Sequence, residues 1–226
     1  QKLYREGKVE EAAELGLPEA QGEMAQRCYF GRDGVAKDLD KMVEWAKKAA
    51  AGGDKHGQFR LGHAYQDAEG SLEKDYAMAL KWYEKLAEQG CATSMNNIGV
   101  LFNIGGHGLT KNHATAASWF RKAAEVGHPF GQLNLGNSYV TGRGVSLNLA
   151  TARSWYQKAA ERGDAQAMRK LGCMMVTGKG GAMDLNGGID LWKKAAAKGD
   201  SFSQRNIDKF YGCLNGISFE FMEVMR

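Results

Sequence analysis

The sequence predicts an all-α protein built as a row of small two-helix units. Three observations carry this. Trp45, Trp82, Trp119, Trp155 and Trp192 recur at steps of 37, 37, 36 and 37 residues. Each opens one phrase: Trp45 leads into AKKAAAGGD, Trp82 into YEKLAEQGC, Trp119 into FRKAAEVGH, Trp155 into YQKAAERGD and Trp192 into KKAAAKGD. Between these phrases, apolar and small residues keep helical spacing and glycine clusters interrupt them. Self-similarity at such a period marks units that bury their apolar faces only by stacking on neighbours. It points to a long binding surface and away from a buried catalytic pocket.

One period shows the logic of each element. Ala92, Met95, Ile98, Gly99 and Phe102 follow i, i+3, i+4, i+7 spacing and define a first helix, A. Gly105, Gly106 and Gly108 end it, since glycine accepts positive φ. Asn112 is placed to cap a second helix, B, which carries Ala116, Trp119, Phe120, Ala123 and Ala124 on one face. Gly127 stops it.

The same slots recur in the other periods. Helix A carries Leu61-Gly62, Ile98-Gly99, Leu135-Gly136 and Leu171-Gly172, and each missing Cβ is expected to admit a close helix contact. Tyr65, Phe102 and Tyr139 follow three residues later, and Asp38, Asp75, Asn112, Asn148 and Asp184 start the B helices. The difference between 36 and 37 is assigned to the loop, where length changes cost least. The five tryptophans are expected to be core, so that truncating one costs about 3–5 kcal/mol.

Composition narrows the function classes. Net charge is +4, from 30 basic and 26 acidic residues spread along the 226. That balance does not provide the clustered basic face a nucleic-acid binder needs. No run of 18 apolar residues is present, so no helical membrane span is expected. Cys28, Cys91, Cys173 and Cys213 form no C-x-x-C pair and are expected to be free, part-buried thiols. This favours a reducing, cytoplasmic compartment; a periplasmic or secreted site stays open if a leader was removed. Residues 2–15 read as a lone helix B without its Trp, an expectation under which further repeats precede Gln1.

The slots together read G-x-A-x-A-x-x-x-L-G-x-x-Y-x-x-G-x-G-V-x-x-D-x-x-x-A-x-x-W-x-x-K-A-A. This pattern resembles the Sel-1-like repeat (SLR) family, a longer relative of the tetratricopeptide repeat, over about residues 16–212. The resemblance implies a right-handed α/α superhelical solenoid of antiparallel helix pairs and an adaptor or scaffold role, often in bacteria. It divides the chain into a partial unit or capping helix at 1–15, the array at 16–212 with five full units and the first helix of a sixth, and a capping segment at 213–226. Departures fall at the ends. Met24-Ala25 replaces Leu-Gly in the first unit, with Cys28 in the aromatic slot, and Ile207-Asp208 replaces it in the last. Some secreted members bridge two cysteines per repeat, and this chain does not share that pattern.

By analogy with tetratricopeptide repeats, the concave wall is lined from helix A at −5, −2, +2 and +5 from the Leu of Leu-Gly. The expected partner-binding residues are His56, Phe59, His63 and Gln66; Asn96, Val100 and Asn103; Phe130, Leu133, Asn137 and Val140; Arg169 and Val176; and Arg205 and Lys209. Phe59, Val100, Phe130, Leu133 and Val140 are apolar where the lattice does not demand it, the mark of a binding surface. Asn96, Asn103 and Asn137 can bond a peptide backbone, and Arg169, Arg205 and Lys209 make one end basic. Such a groove suits a helix or extended segment with acidic residues at one end.

Other motifs lead to no chemistry. Gly178-Lys179-Gly180-Gly181 lacks the strand and frame of a phosphate loop. His56 and His63 are seven apart, but no third ligand is evident, so neither a metal nor a cofactor is expected. The sequence thus predicts a non-enzymatic scaffold, monomeric, that binds a protein or peptide. Two alternatives stand beside it: an inhibitor or immunity-type protein that clamps a bacterial effector enzyme, and a repeat protein that binds or hydrolyses a small ligand or cell-wall fragment.

Overall fold

A computed structural model describes residues 1–215, with side chains through 212. Among the described residues there are thirteen α-helices and no strand. They are α1 (Lys2–Arg5), α2 (Val9–Glu14), α3 (Pro18–Phe30), α4 (Leu39–Ala51), α5 (Lys55–Asp67), α6 (Tyr76–Glu88), α7 (Ala92–Ile104), α8 (His113–Glu125), α9 (Pro129–Thr141), α10 (Leu149–Glu161), α11 (Ala165–Val176), α12 (Leu185–Ala197) and α13 (Ser201–Asn215). The chain divides into two compact units, residues 1–119 and residues from 120 onward. In the first, α3 packs on α4 and α5 on α6, with α4·α5, α6·α7 and α3·α5 contacts joining the pairs. In the second, α9 packs on α10 and α11 on α12, joined through α10·α11 and α12·α13. This is the all-α class of stacked helix pairs that the spacing predicts. Of the expected capping segment at 213–226, residues 213–215 continue α13 and the rest lies outside the described residues.

The caps at the B helices form as the sequence indicates. Asp38, Asp75, Asn112, Asn148 and Asp184 each accept a backbone N–H three residues on, from Lys41, Met78, Thr115, Thr151 and Gly187. The A helices have caps of their own. Asp54, Asp164 and Asp200 accept from Gly57, Ala167 and Ser203, and His128 Nδ1 accepts from Gly131 at 3.2 Å. Burial pushes the His128 imidazole below its ordinary value, in keeping with its role as an acceptor. Pro18 and Pro129 sit in the first turn of α3 and α9, where a missing N–H costs nothing. The segment 2–15 is not one helix: Gly7, at φ +80°, splits it into α1 and α2.

The Leu-Gly glycines do one specific job. A Cβ on Gly62 would lie 2.9 Å from the Tyr83 ring, on Gly136 2.6 Å from Tyr156, and on Gly172 2.7 Å from Trp192. Each glycine opens a seat for a helix B aromatic that stands eight residues after the B cap. Tyr83 and Tyr156 are fully buried there, at 0% and 2% exposed. In the first unit Ala25 replaces glycine, and the residue eight after Asp38 is the small Ala46. Both are fully buried in one cluster with Cys28, Met42 and Leu61. The departure at Met24-Ala25 is therefore a matched exchange of a glycine and ring for two methyl groups.

The tryptophans do not occupy that seat in four of the five units. Trp45, Trp82, Trp119 and Trp155 stand seven residues after their caps and are only half-buried. Lysine three residues on covers the outer ring face: Lys48 lies 4.5 Å from Trp45, Lys85 4.4 Å from Trp82 and Lys158 4.2 Å from Trp155. Trp192 stands eight after Asp184, is 6% exposed, and donates Nε1–H to the Arg169 carbonyl at 3.1 Å. The step of 37 from Trp155 to Trp192 thus combines a cap-to-cap step of 36 with a shift of one place along the helix. The expectation of five equivalent core tryptophans is corrected: one is core, and in three units the deeper residue is the Tyr83, Phe120 or Tyr156 beside them.

Among the described residues Cys28, Cys91 and Cys173 are free thiols, with Cys28 buried. Burial pushes the Cys28 thiol up, so it behaves as a small apolar side chain.

Candidate functional site

The helix A positions expected to line a wall fall into three groups. His56, Phe130, Arg205 and Lys209 are exposed. Phe59, His63, Gln66, Val100, Asn103, Asn137, Val140, Arg169 and Val176 are half-buried. Asn96 and Leu133 are buried, at 7% and 4% exposed. Leu133 belongs to the core cluster of the second unit with Tyr156, Ala160 and Leu171, so the view that the lattice makes no demand on it is corrected.

Several polar positions also serve the repeat. Tyr83 Oη donates to Gln66 Oε1 at 3.1 Å, and Tyr156 Oη donates to Asn137 Oδ1 at 2.8 Å. A buried phenol must pass its proton to an acceptor, and these amides supply it at the surface end of the ring. Burial pushes both phenols far above their ordinary value. Asn103 Oδ1 lies 3.0 Å from His113 Nδ1. Gln66, Asn103 and Asn137 thus hold structural contacts while part of each stays accessible.

On the first unit, Phe59 packs at 5.9 Å on Tyr83 and 6.4 Å from His63. Beside it lies an apolar cavity of about 280 Å³ walled by Lys55, His56, Leu86, Cys91 and Thr93. The Arg60 guanidinium stacks 3.9 Å from the Tyr29 ring. Spacing along the chain does not join these two residues; the packing of α3 on α5 brings them together. His63 does not meet His56. Its Nδ1 lies 3.4 Å from Asp67 Oδ2 and 3.3 Å from Glu69 Oε1, so the fold provides the neighbours the sequence lacked. The Asp67 partner was legible as i+4 on one helix face. Glu69 was not, because it returns only through the left-handed turn at Ala68, φ +58°.

On the second unit, Phe202 is 56% exposed and sits between two guanidinium groups, 5.2 Å from Arg169 and 4.2 Å from Arg205. Arg169 Nε donates to Asp200 Oδ2 at 3.2 Å. Burial raises the Asp200 carboxyl, but the Ser203 N–H and Arg169 overcome it and hold the group below the usual carboxylate range. Burial, with Arg169 adding, pushes the Lys170 ammonium down. Phe130 is exposed at 55%, 5.8 Å from His128.

Capped helix pairs, a fixed packing lattice and a first helix with a variable outer face define a helical-repeat protein related to the tetratricopeptide type. Comparison places it more closely. The model of the Sel1 repeat matches residues 18–54, 55–91, 92–128, 129–164 and 165–200, and the chain belongs to the Sel1 repeat family. It is similar to a Sel1 repeat protein from Oxalobacter formigenes, at 30% identity and TM-score 0.79 over 93% of this chain and 85% of that one. It is also similar to c5321, described as a protective antigen of uropathogenic Escherichia coli with an SLR fold, at 34% identity and TM-score 0.77 over 90% of this chain. This chain spans 43% of the length of c5321. The immunity protein Pa5087 of Pseudomonas aeruginosa shares the fold at 22% identity and TM-score 0.52, over 79% of this chain and 67% of that one. No curated protein matches the chain. Among the described residues no helix is long and apolar enough to cross a membrane.

Proposed function

We propose that this protein is a non-catalytic scaffold that takes a protein or peptide partner on the helix A face expected to line a concave wall. Sel1 repeat proteins are in general scaffolds of this kind. One observation carries the reading here. Phe202 is 56% exposed, flanked by Arg169 and Arg205, with Lys209 one turn beyond Arg205. Aromatic and arginine side chains held in place before binding make the strongest interface anchors, because little rotamer freedom is lost. The charge selects a segment with acidic residues, and Phe130, on the same unit, offers it apolar area. On the first unit the half-buried Phe59 and Val100, with the amides of Gln66 and Asn103, offer apolar contact and backbone hydrogen bonds. Asn96, Asn137, Val140 and Val176 are secondary candidates, and Leu133 contributes through the core.

The test is a comparison of the native chain with Phe130→Ser/Phe202→Ser/Arg205→Glu/Lys209→Glu. A partner isolated on the native chain is purified and titrated against both. The four-site variant, with an unchanged melting temperature, is expected to lose more than about tenfold in affinity. Equal affinity overturns the reading. Fold neighbours named as immunity proteins motivate a second reading, a one-to-one clamp on a single effector enzyme. Nanomolar one-to-one binding that silences an enzyme selects it, and several weaker partners select the adaptor.

A further inference from the structure

The geometry points to a binding site for a divalent transition-metal ion, Zn²⁺ or one of similar preference, formed by His63, Asp67 and Glu69 on the first unit. The three ligand atoms lie within 4.8 Å of one another. His63 Nδ1 stands 3.4 Å from Asp67 Oδ2 and 3.3 Å from Glu69 Oε1. With metal–ligand bonds of about 2.0–2.2 Å, the ligand atoms of a tetrahedral site lie about 3.3–3.6 Å apart. Two of the edges therefore already have the length a bound ion requires.

His63 is within ion-pair distance of both carboxylates, yet two atoms of the cluster stay unsatisfied. His63 Nδ1 and Glu69 Oε2 are buried atoms without a hydrogen-bond partner. A buried nitrogen and oxygen left so cost free energy that a shared cation recovers. The Glu69 side chain is 12% exposed, and Asp67 is 46% exposed, which leaves a fourth coordination position open to water. Arg60 does not block the site, because its guanidinium is stacked on Tyr29 at 3.9 Å.

The backbone supports the same arrangement. The other A helices turn into their loops through Gly31, Gly105, Gly142 and Gly178, all at positive φ, whereas α5 turns at Ala68. That turn aims Glu69 back at the last turn of α5, with the Glu69 N–H donating to the Ala64 carbonyl at 3.0 Å. One imidazole with two carboxylates suits a borderline ion. Ca²⁺ and Mg²⁺ favour oxygen-only shells.

The experiment titrates ZnCl2 into the metal-stripped full chain by calorimetry, and CoCl2 by visible absorption. The expected result is one tight equivalent, with intense Co²⁺ bands that Zn²⁺ abolishes and that excess Mg²⁺ or Ca²⁺ leaves intact. His63→Ala and Glu69→Gln should each weaken binding by about 100-fold or more, and His56→Ala should leave it unchanged. Glu69→Gln preserves shape, so its circular dichroism should match the native chain even if His63→Ala unfolds. Binding that survives Glu69→Gln, or no saturable binding at millimolar Zn²⁺, overturns the assignment.

Discussion

Replacing Gly136 by alanine should destabilise the second unit, and removing the Tyr156 ring should reverse the sign of that effect. The new methyl would stand 2.6 Å from Tyr156 Cε1. That is about 1 Å inside the optimal carbon–carbon separation. The ring cannot swing aside, because it is 2% exposed and its hydroxyl is tied to Asn137 at 2.8 Å. Overpacking of this kind costs about 1–3 kcal/mol, and the gain in helix propensity from Gly to Ala returns about 1 kcal/mol. Gly136→Ala is therefore expected to cost about 0–2 kcal/mol net. Tyr156→Ala alone should cost about 3–5 kcal/mol. In its background the clash is gone, and Gly136→Ala should stabilise by about 1 kcal/mol, a coupling of about 1–3 kcal/mol. The first unit already has this double-alanine arrangement in Ala25 and Ala46. Urea unfolding of the four proteins, followed by circular dichroism, measures the cycle. Amide exchange in α9 and α10 separates local from global loss, since repeat arrays can unfold in parts. A coupling below about 0.5 kcal/mol would refute the ring-seat account.

Three further outcomes follow from the packing. Trp155→Ala should cost about 2 kcal/mol and Trp192→Ala about 3–5 kcal/mol, by urea unfolding, because only the second ring is fully buried; equal costs would restore five equivalent core tryptophans. Asp75→Ala should cost about 1 kcal/mol and Asp75→Asn almost nothing, since either side chain can accept the Met78 N–H. His128 has its folded pKa below the ordinary value, so the unfolded chain takes up its proton first. Its contribution is present above about pH 6.5 and is lost as pH falls through the folded value. His128→Asp, which reproduces the Asp54 and Asp164 caps, should flatten the decline in stability between pH 7.5 and 5.0; an unchanged slope would show that other groups carry it.

What was legible in the sequence is what depends on neighbours in the chain. Helix periodicity and the five B caps act over one to eight residues, and each is where the spacing placed it; the glycine slots are legible by spacing too, but the rings they seat stand 20 or 21 residues on. The error over the tryptophans has a geometric cause. Positions seven and eight after a cap are adjacent in sequence but about 100° apart around a helix, and only the partner helix determines which of them faces inward. The same limit applied to Leu133, whose burial depends on α10 and α11, and to Gln66 and Asn137, whose duty is to a tyrosine 17 or 19 residues away. The Glu69 contact with His63 needed a left-handed alanine turn that no residue type announces. The sequence by itself therefore determined the repeating unit, since local hydrogen bonding and periodicity are written into consecutive residues. The tertiary structure decided which side chains are seats, which are rings and which remain available to a ligand, because burial is a property of the surface that packs against them.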